Sequence, residues 1–412
     1  MSRVIVIGGG PAGMLAAGRA AALGSQVWLL EKNERLGKKL VITGKGRCNV
    51  TNDADPDTLI KNIPGNGRFL YSAFAAFGSD DLQTLLQDHG VELKVERGNR
   101  VFPKSDRSFD VVDGLRRFLE RNRVRVELGV QVDEIIAEAG AVVGVQAQGK
   151  LYPAEAAIIC TGGASYPATG STGDGYRLAE RLGHTIVPPK PALVPLEVQE
   201  SWAKELMGLT LKNVRLTLFQ GGKQLGSEFG EMLFTHFGIS GPTVLSLSRL
   251  VTHQRKKGDA PITAQIDLKP ALRPEQLDQR LQRDFSKYQR KQLQNALDEL
   301  LPKRLIPAVI DQSGVNPEKP VHQITREERQ ALQRTLNDLT LTITGTRPLS
   351  EAIVTAGGVS VKEINPKNME SKLVSGLFFA GEVIDIDGYT GGFNLQAAFS
   401  TGFLAGSNAA SH

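Results

Sequence analysis

The sequence predicts an α/β protein whose main domain is built from both ends of the chain, with a β-rich insert and a helical sub-lobe between them. Three observations carry this. The first 31 residues run strand, glycine loop, helix, strand, acid. The composition shifts at a proline-rich stretch, PPKPALVP at 188–195, and glycine-rich motifs return after Thr346. The chain has 412 residues, too many for one core, so two or three domains are expected.

Residues 3–7 (RVIVI) are a short buried strand, 11–24 an alanine-rich helix and 26–30 (QVWLL) a second strand. Residues 36–52 form a Gly- and Lys-rich loop, and 79–90 and 108–122 have helical periodicity. Residues 124–160 read as strands, VRVELGVQVDEI, AVVGVQAQ and AEAAIICTGG, resembling a small β-meander. A helix is expected at 171–183. LVPLEV, VRLTLFQ, EMLFTHF and ITAQIDL give 192–268 a β character, and 274–338 is helical and strongly polar. A strand at 376–380 and a helix from about 392 to 409 close the chain. The expected domains are therefore 1–190 with 346–412, and an insert at 191–345, β-rich over 191–268 and helical over 270–338.

Hydrophobic residues make up 41% and charged residues 23%, as in ordinary globular proteins. Cys48 and Cys160 lie too far apart for a disulfide framework, which suits a reducing compartment. No His/Cys/acid cluster has metal-site spacing. No secretion signal pattern and no stretch of transmembrane length is seen, so a cytoplasmic protein away from membranes is expected. The net charge is +5 and uneven: 32–47 carries six Lys/Arg against one Glu, and 97–125 nine against four acids. Such clusters suit a polyanion, nucleic acid included.

VIVIGGGPAGMLAA places Gly8, Gly10 and Gly13 in a GxGxxG directly after a strand, with Pro11 and Ala12 opening the helix. Gly8 permits the turn, Gly10 lets a pyrophosphate approach the backbone, and Gly13 allows close helix packing. The helix N-terminus offers free N–H groups and the positive dipole end. Glu31, eighteen residues after Gly13, suits ribose hydroxyls and disfavours a 2′-phosphate, and Lys32 follows it. This is a Rossmann-type dinucleotide loop in its full context. Three later segments choose FAD over NAD: the strand ending in Thr161-Gly162-Gly163, the strand ending in Gly381-Glu382, and GYTGGFN, where Gly392, Phe393 and Asn394 enter the last helix. That helix would aim N–H groups at the flavin pyrimidine edge.

The motifs KKLVITGKGRCNVTN, CTGGASYPATGSTGDGY, GEMLFTHFGISGP and GLFFAGEVIDIDGYTGGFNLQAAFSTG run along the whole chain. With them the sequence resembles the bacterial flavoprotein family called HI0933-like, or YhiN/BaiN type. The resemblance implies a glutathione-reductase-like FAD domain interrupted by an insert that is part β-barrel-like and part helical. It implies cofactor contacts at Lys39, Gly46, Arg47, Cys48 and Val132, and NAD(P)H as reductant. This chain reads GKGRCN, so Lys45 adds a charge to the loop.

FAD carries the electrons and the protein orients it. Lys38, Lys39, Lys45 and Arg47 can balance phosphates or hold an anionic substrate. Cys48 is a candidate general acid or redox thiol, with Arg47 and Lys45 lowering its pKa; packed under the loop, it would be a small core residue. His236, in FTHFGISGP, and Tyr166 are the other candidate acids. Cys160 reads as core, and His89, His184, His253 and His322 as structural or exposed. No second GxGxxG with a following acid and no CxxC is present, so NAD(P)H would visit the flavin transiently or another donor serves. The resemblance allows hydride transfer to an electron-poor C=C, either a small enone or a uracil in RNA. Lys287, Arg290, Lys291, Lys303 and Arg304 in the polar lobe favour RNA. A flavin amine oxidase using oxygen, and a non-catalytic RNA- or partner-binding flavoprotein, are the other classes.

Overall fold

Arg3–Ile7 has no polar side chain after its first residue, and Val4, Ile5 and Val6 are fully buried. It forms the middle of a five-stranded sheet ordered Leu377–Phe379, Ala156–Ile159, Arg3–Ile7, Gln26–Glu31, Arg125–Leu128. Every pairing is parallel, and the inner strands are buried on both faces, which is why they read as continuous apolar runs. The computed structural model describes residues 2–254 and 260–412, with only the backbone at 253 and 254; the side chain of His253 lies outside the described residues. The chain up to Pro191 and Leu349–His412 form one compact unit, and Ala192–Pro348 a second. The fold class is the one expected, α/β with a Rossmann-type domain.

Two helices shape the first unit. Pro11–Ala22 follows the glycine loop and Phe393–Ala409 ends the chain. They pack through small residues: a Cβ on Gly402 would lie 2.3 Å from the Ala12 carbonyl oxygen, and one on Gly406 2.3 Å from that of Ala16. Positions rise together along both helices, so they run parallel. Only residues without side-chain bulk permit this approach.

The expectation of a meander over 124–160 needs correction. Arg125–Leu128 joins the main sheet beside Gln26–Glu31, and Ala156–Ile159 joins it beside Arg3–Ile7. The meander is Val132–Glu138, Ala141–Ala147 and Lys150–Pro153. Periodicity marks a run as a strand but not its pairing partner, which lies far along the chain, so it could not separate the two sheets. The loop at 36–52 also contains local structure. Lys38–Ile42 is a helical turn and Thr43–Gly46 a tighter one, with Gly44 and Lys45 left-handed.

The second unit holds a closed six-stranded barrel ordered Leu196–Val198, Gly238–Ser240, Lys223–Thr235, Thr210–Gln220, Ile262–Asp267, Leu339–Thr346. Phe234, Leu216, Leu218, Ala264 and Leu341 fill it with no exposure. A helix, Pro242–Gln254, interrupts the β-type stretch. The polar lobe carries Pro274–Lys287, Ile306–Ser313 and Arg326–Asn337 before the chain returns to close the barrel.

Candidate functional site

The glycine loop leaves the central strand at Ile7 and turns immediately. Gly8 is left-handed (φ +106°), and a Cβ there would sit 2.6 Å from the Cys160 carbonyl oxygen. At Gly13 a Cβ would be 1.8 Å from the Gly8 carbonyl oxygen, so the helix can start only with hydrogen at that position. Gly10 differs: a Cβ would meet nothing within 4 Å. Its missing side chain leaves open space above the helix end. That end has no side-chain cap and no acid in its first turn. Glu31 is 7% exposed; its carboxylate accepts the Gly9 N–H at 2.6 Å and the Asn33 backbone and amide N–H groups at 2.8 and 2.6 Å. The acid is thus fixed beside the loop.

The other cofactor candidates fall into three groups. Gly381 and Thr161 adjoin the loop, with the Gly381 Cβ position 2.9 Å from the Ala12 Cβ and the Gly8 Cβ position 3.1 Å from the Thr161 Cα. Gly162 is left-handed beside Ser171. Lys39, Gly163 and Glu382 form a second group. The Lys39 ammonium donates to Glu382 and to the Ser165 hydroxyl, each at 2.8 Å, while Glu382 accepts the Thr355 N–H at 2.8 Å. A Cβ on Gly163 would be 3.0 Å from this carboxylate. The pair neutralises itself, so neither residue brings a free charge to a ligand. Instead it clamps the GKK loop, the TGG loop and the Gly-Glu turn together. At the third position Lys32 pairs with Asp174, and Val132 borders a polar cleft with Asp133, Asp174, Arg177 and Arg181.

The last helix supplies the far end. Gly392 is its N-cap, left-handed (φ +99°), and a Cβ there would overlap the Thr51 carbonyl carbon at 2.3 Å. Phe393 is buried, and Asn394 holds the preceding turn through the Gly388 N–H and carbonyl at 2.7 and 2.9 Å. This N-terminus too has no side-chain cap and no acid in its first turn. With Ala12 level with Gly402, Phe393 stands nine residues ahead and Pro11 one, so the last helix overhangs the first by eight residues. At 1.5 Å per residue the overhang is about 12 Å. The two bare helix ends therefore face the same way, one behind the other. This fits an extended dinucleotide such as FAD, with a pyrophosphate at the first end and an electron-accepting ring at the second. The buried Asn49 Oδ1, in the strand-like segment leading to Thr51, has no protein partner and offers an acceptor there.

The candidate acids fare differently. Cys48 is fully buried in a left-handed backbone position (φ +60°). Burial pushes its thiol up to about 12, against the expected lowering. Arg47 cannot help, because its guanidinium stacks 4.2 Å from the Phe102 ring centroid and pairs with Glu96 and Asp106. Burial likewise raises the Cys160 thiol, a core residue. Tyr166 is half-buried and also left-handed (φ +51°), a conformation that costs a non-glycine residue energy and clusters at functional sites. Gly46, left-handed between Lys45 and Arg47, borders open space. His236 belongs to the barrel unit, exposed on the turn after Lys223–Thr235 and edge-on to Phe237 at 4.9 Å.

A family model for the HI0933-like protein Rossmann domain matches residues 2–408. The chain belongs to the HI0933-like family. Curated relatives include a 3-dehydro-bile acid delta(4,6)-reductase of Clostridium scindens, 33% identical with 100% of this chain and 99% of the relative covered. A ribosomal RNA dihydrouridine synthase of Escherichia coli is 32% identical, with 96% and 95% covered. Among solved structures, the Rhodococcus jostii 3-ketosteroid-delta4-(5alpha)-dehydrogenase has a TM-score of 0.55 at 16% identity, covering 100% of this chain and 97% of that one. That likeness shows the fold alone. Family and fold are those of FAD-dependent oxidoreductases. Among the described residues of this HI0933-like chain, no helix is long and apolar enough to cross a membrane.

Sequence reasoning missed the polar residues that join the motifs of this HI0933-like protein. Asn52, 5% exposed, donates to the carbonyls of Gly98 and Gly391, each at 3.0 Å. Gln396 is fully buried and bonds Thr51, the Phe77 carbonyl and Ser400. Ser165 and Thr355 complete the Lys39–Glu382 clamp. Buried Asn and Gln inside glycine-rich stretches are the one signal that could have marked them.

Proposed function

We propose that this protein is an FAD-dependent reductase of electron-poor C=C bonds, with a uracil ring in RNA as its substrate class. The observation that carries the reading is the pair of uncapped, parallel helix N-termini, offset by about 12 Å along their axes. Bound FAD would supply a hydride from its reduced ring at N5. The chain's own groups do the rest. Gly8–Gly13 and the first helix hold the pyrophosphate, and Glu31 the ribose. The last helix, entered at Gly392, places backbone N–H groups where negative charge gathers on the ring edge. Reduction delivers hydride to the carbon β to a carbonyl and a proton to the α carbon. Tyr166, half-buried and left-handed in the same unit as the glycine loop, provides that proton. NAD(P)H is the proposed external reductant.

Two relatives of almost equal identity carry a small enone-type and an RNA name, and the unneutralised cations described below favour RNA. An enone-type small molecule is the second reading, favoured by the Clostridium scindens relative. The test has two arms. Under anaerobic NADPH the flavin should bleach and recover its colour with substrate faster than with air. RNA from a deletion strain should lack dihydrouridine that the parent strain contains. Unchanged dihydrouridine removes the RNA reading, and recovery only with a 3-oxo-Δ4 steroid replaces it with the enone reading. Peroxide formation with amines would make the protein an oxidase instead.

A further inference from the structure

The basic cluster read at 97–125 is continuous in sequence and divided in space. Arg97–Arg100 is the tip of a hairpin between Leu93–Glu96 and Arg100–Pro103. Arg116, Arg117 and Arg121 lie on the separate helix Ser108–Arg121. The hairpin tip is tied to the end of the site where the last helix begins. Thr51–Asn52 pairs with Arg100–Val101, and the Asp53 N–H donates to the Asn99 carbonyl at 2.7 Å. The Asn52 amide bridges Gly98 in the tip and Gly391 in the turn before the last helix. Arg100 is one ladder step from Asn52, about 5 Å. The Cβ position of Gly392 is 2.8 Å from the Asn52 nitrogen. A basic tip is therefore held at the flavin end of the site by a buried side chain.

A second turn meets it. Gly44–Arg47 and Arg100 converge on Phe102: the Gly44 Cβ position is 3.5 Å from the ring, and the Arg47 and Arg100 guanidinium carbons are 4.2 and 5.8 Å from its centroid. Charge accounting then separates these cations. Glu96 and Asp106 serve Arg47 and Lys94, and Glu92 serves Lys104. Lys45, Arg97 and Arg100 are exposed, and no acid among the described residues pairs with them. Ordinary solvated charges sit on mobile side chains near counter-charges; these sit on two turns whose backbones are locked to the site.

We infer that Lys45, Arg97 and Arg100 form a phosphate-binding rim that seats an RNA backbone so that one base reaches the flavin end. The inference rests on the RNA reading above and assigns the residues that reading lacks. A planar guanidinium suits phosphate oxygens and also stacks on a splayed base. A small enone with a single carboxylate would engage one such cation, whereas an RNA backbone presents a phosphate to each of the three.

The test uses the FAD-loaded protein and an in vitro transcribed ribosomal RNA, which carries no modified bases. Binding is measured from 50 to about 200 mM salt, over which phosphate contacts dominate the change. The double variant Arg97→Glu/Arg100→Glu should bind at least tenfold more weakly. Its plot of log affinity against log salt should flatten by about 1.5, the loss of two phosphate contacts. Lys45→Glu should give about half that flattening. Arg121→Glu/Arg123→Glu, at the far end of a 14-residue helix, should change affinity less than twofold. Flavin absorbance and thermal midpoint establish that each variant is folded and loaded. If the rim variants match the parent, or the distant pair loses as much, the rim is overturned while RNA reduction by the parent stands. If the parent neither binds nor reduces RNA, rim and RNA reading fall together.

Discussion

At Cys48 the tertiary environment decides a chemistry that neighbouring charges misstate. Two cations, Lys45 and Arg47, precede it in sequence, yet the thiol is fully buried and rises to about 12 from an ordinary 9.0. It is protonated at neutral pH and packed under the loop, unsuited to nucleophilic attack and a weaker proton donor than an exposed thiol. Iodoacetamide should therefore leave Cys48 unmodified in the folded protein over hours and label it within minutes in urea; rapid native labelling would contradict the burial. The sign of the linkage follows. The unfolded chain releases this proton near pH 9 while the folded chain keeps it to about 12, so stability present below pH 9 is lost as pH rises between those values. The urea midpoint should fall over that window, and less in Cys48→Ala. At Lys39 and Glu382, each about one-fifth exposed, removing one partner strands the other in a partly buried place. Lys39→Met should weaken FAD binding at least tenfold by flavin fluorescence, and Lys39→Met/Glu382→Leu should recover part of it. No recovery in the double variant would mean that Lys39 touches the cofactor directly.

Among the elements, the two parallel helices set the site's length, and their small-residue seam sets their separation. Gly402→Ala or Gly406→Ala places a methyl against a backbone carbonyl 2.3 Å away. Each should cost about 1–3 kcal/mol of stability by overpacking. Because the seam sets the spacing of the two helix ends proposed to hold the cofactor, a loss of FAD affinity should accompany the fall in thermal midpoint. An unchanged midpoint would show that the seam can relax. The helix Asp174–Arg181 is tied down at its C-terminal side by the His184 N–H, which donates to the Ala179 carbonyl at 3.1 Å. The His184 ring is buried, bonded to Ser371 at 2.9 Å and faces Glu363 at 3.4 Å. Burial lowers its pKa from 6.5, and the neighbouring Glu363 only partly offsets this. The folded protein resists protonation that the unfolded chain accepts, so its contribution is present above pH 6.5 and lost as pH falls below it. His184→Gln should flatten the stability profile between pH 6.5 and 5.

At the scale of the whole molecule, the insert begins and ends on one barrel seam, where Leu196 pairs with Thr346. Its ends are therefore neighbours, which permits insertion into another fold. Residues 192–348 also carry their own apolar core. Expressed alone, they should unfold cooperatively and bind no flavin; an unfolded product would show that the barrel depends on the rest of the chain. Much of this organisation was legible. The βαβ start, the return to glycine motifs near the C-terminus and the apolar runs of the inner strands all have local signatures. The split of 124–160 between two sheets was not, because a strand's periodicity does not record which distant strand it pairs with. The helix Pro242–Gln254 was hidden by β-branched and apolar neighbours that fit either state.

Local chemistry in the sequence alone determined the α/β class, the dinucleotide loop and the acid at Glu31, because turn glycines and strand periods act over a few residues. It also marked the glycine-rich segments proposed to face the cofactor. Only the tertiary structure decided how those segments meet. The overhang between the two bare helix ends, the Lys39–Glu382 clamp, the neutral Cys48 and the separation of one basic cluster into a site rim and a distant helix all join residues from different segments. Burial and ion pairing depend on which of them fold together, and no local pattern records that.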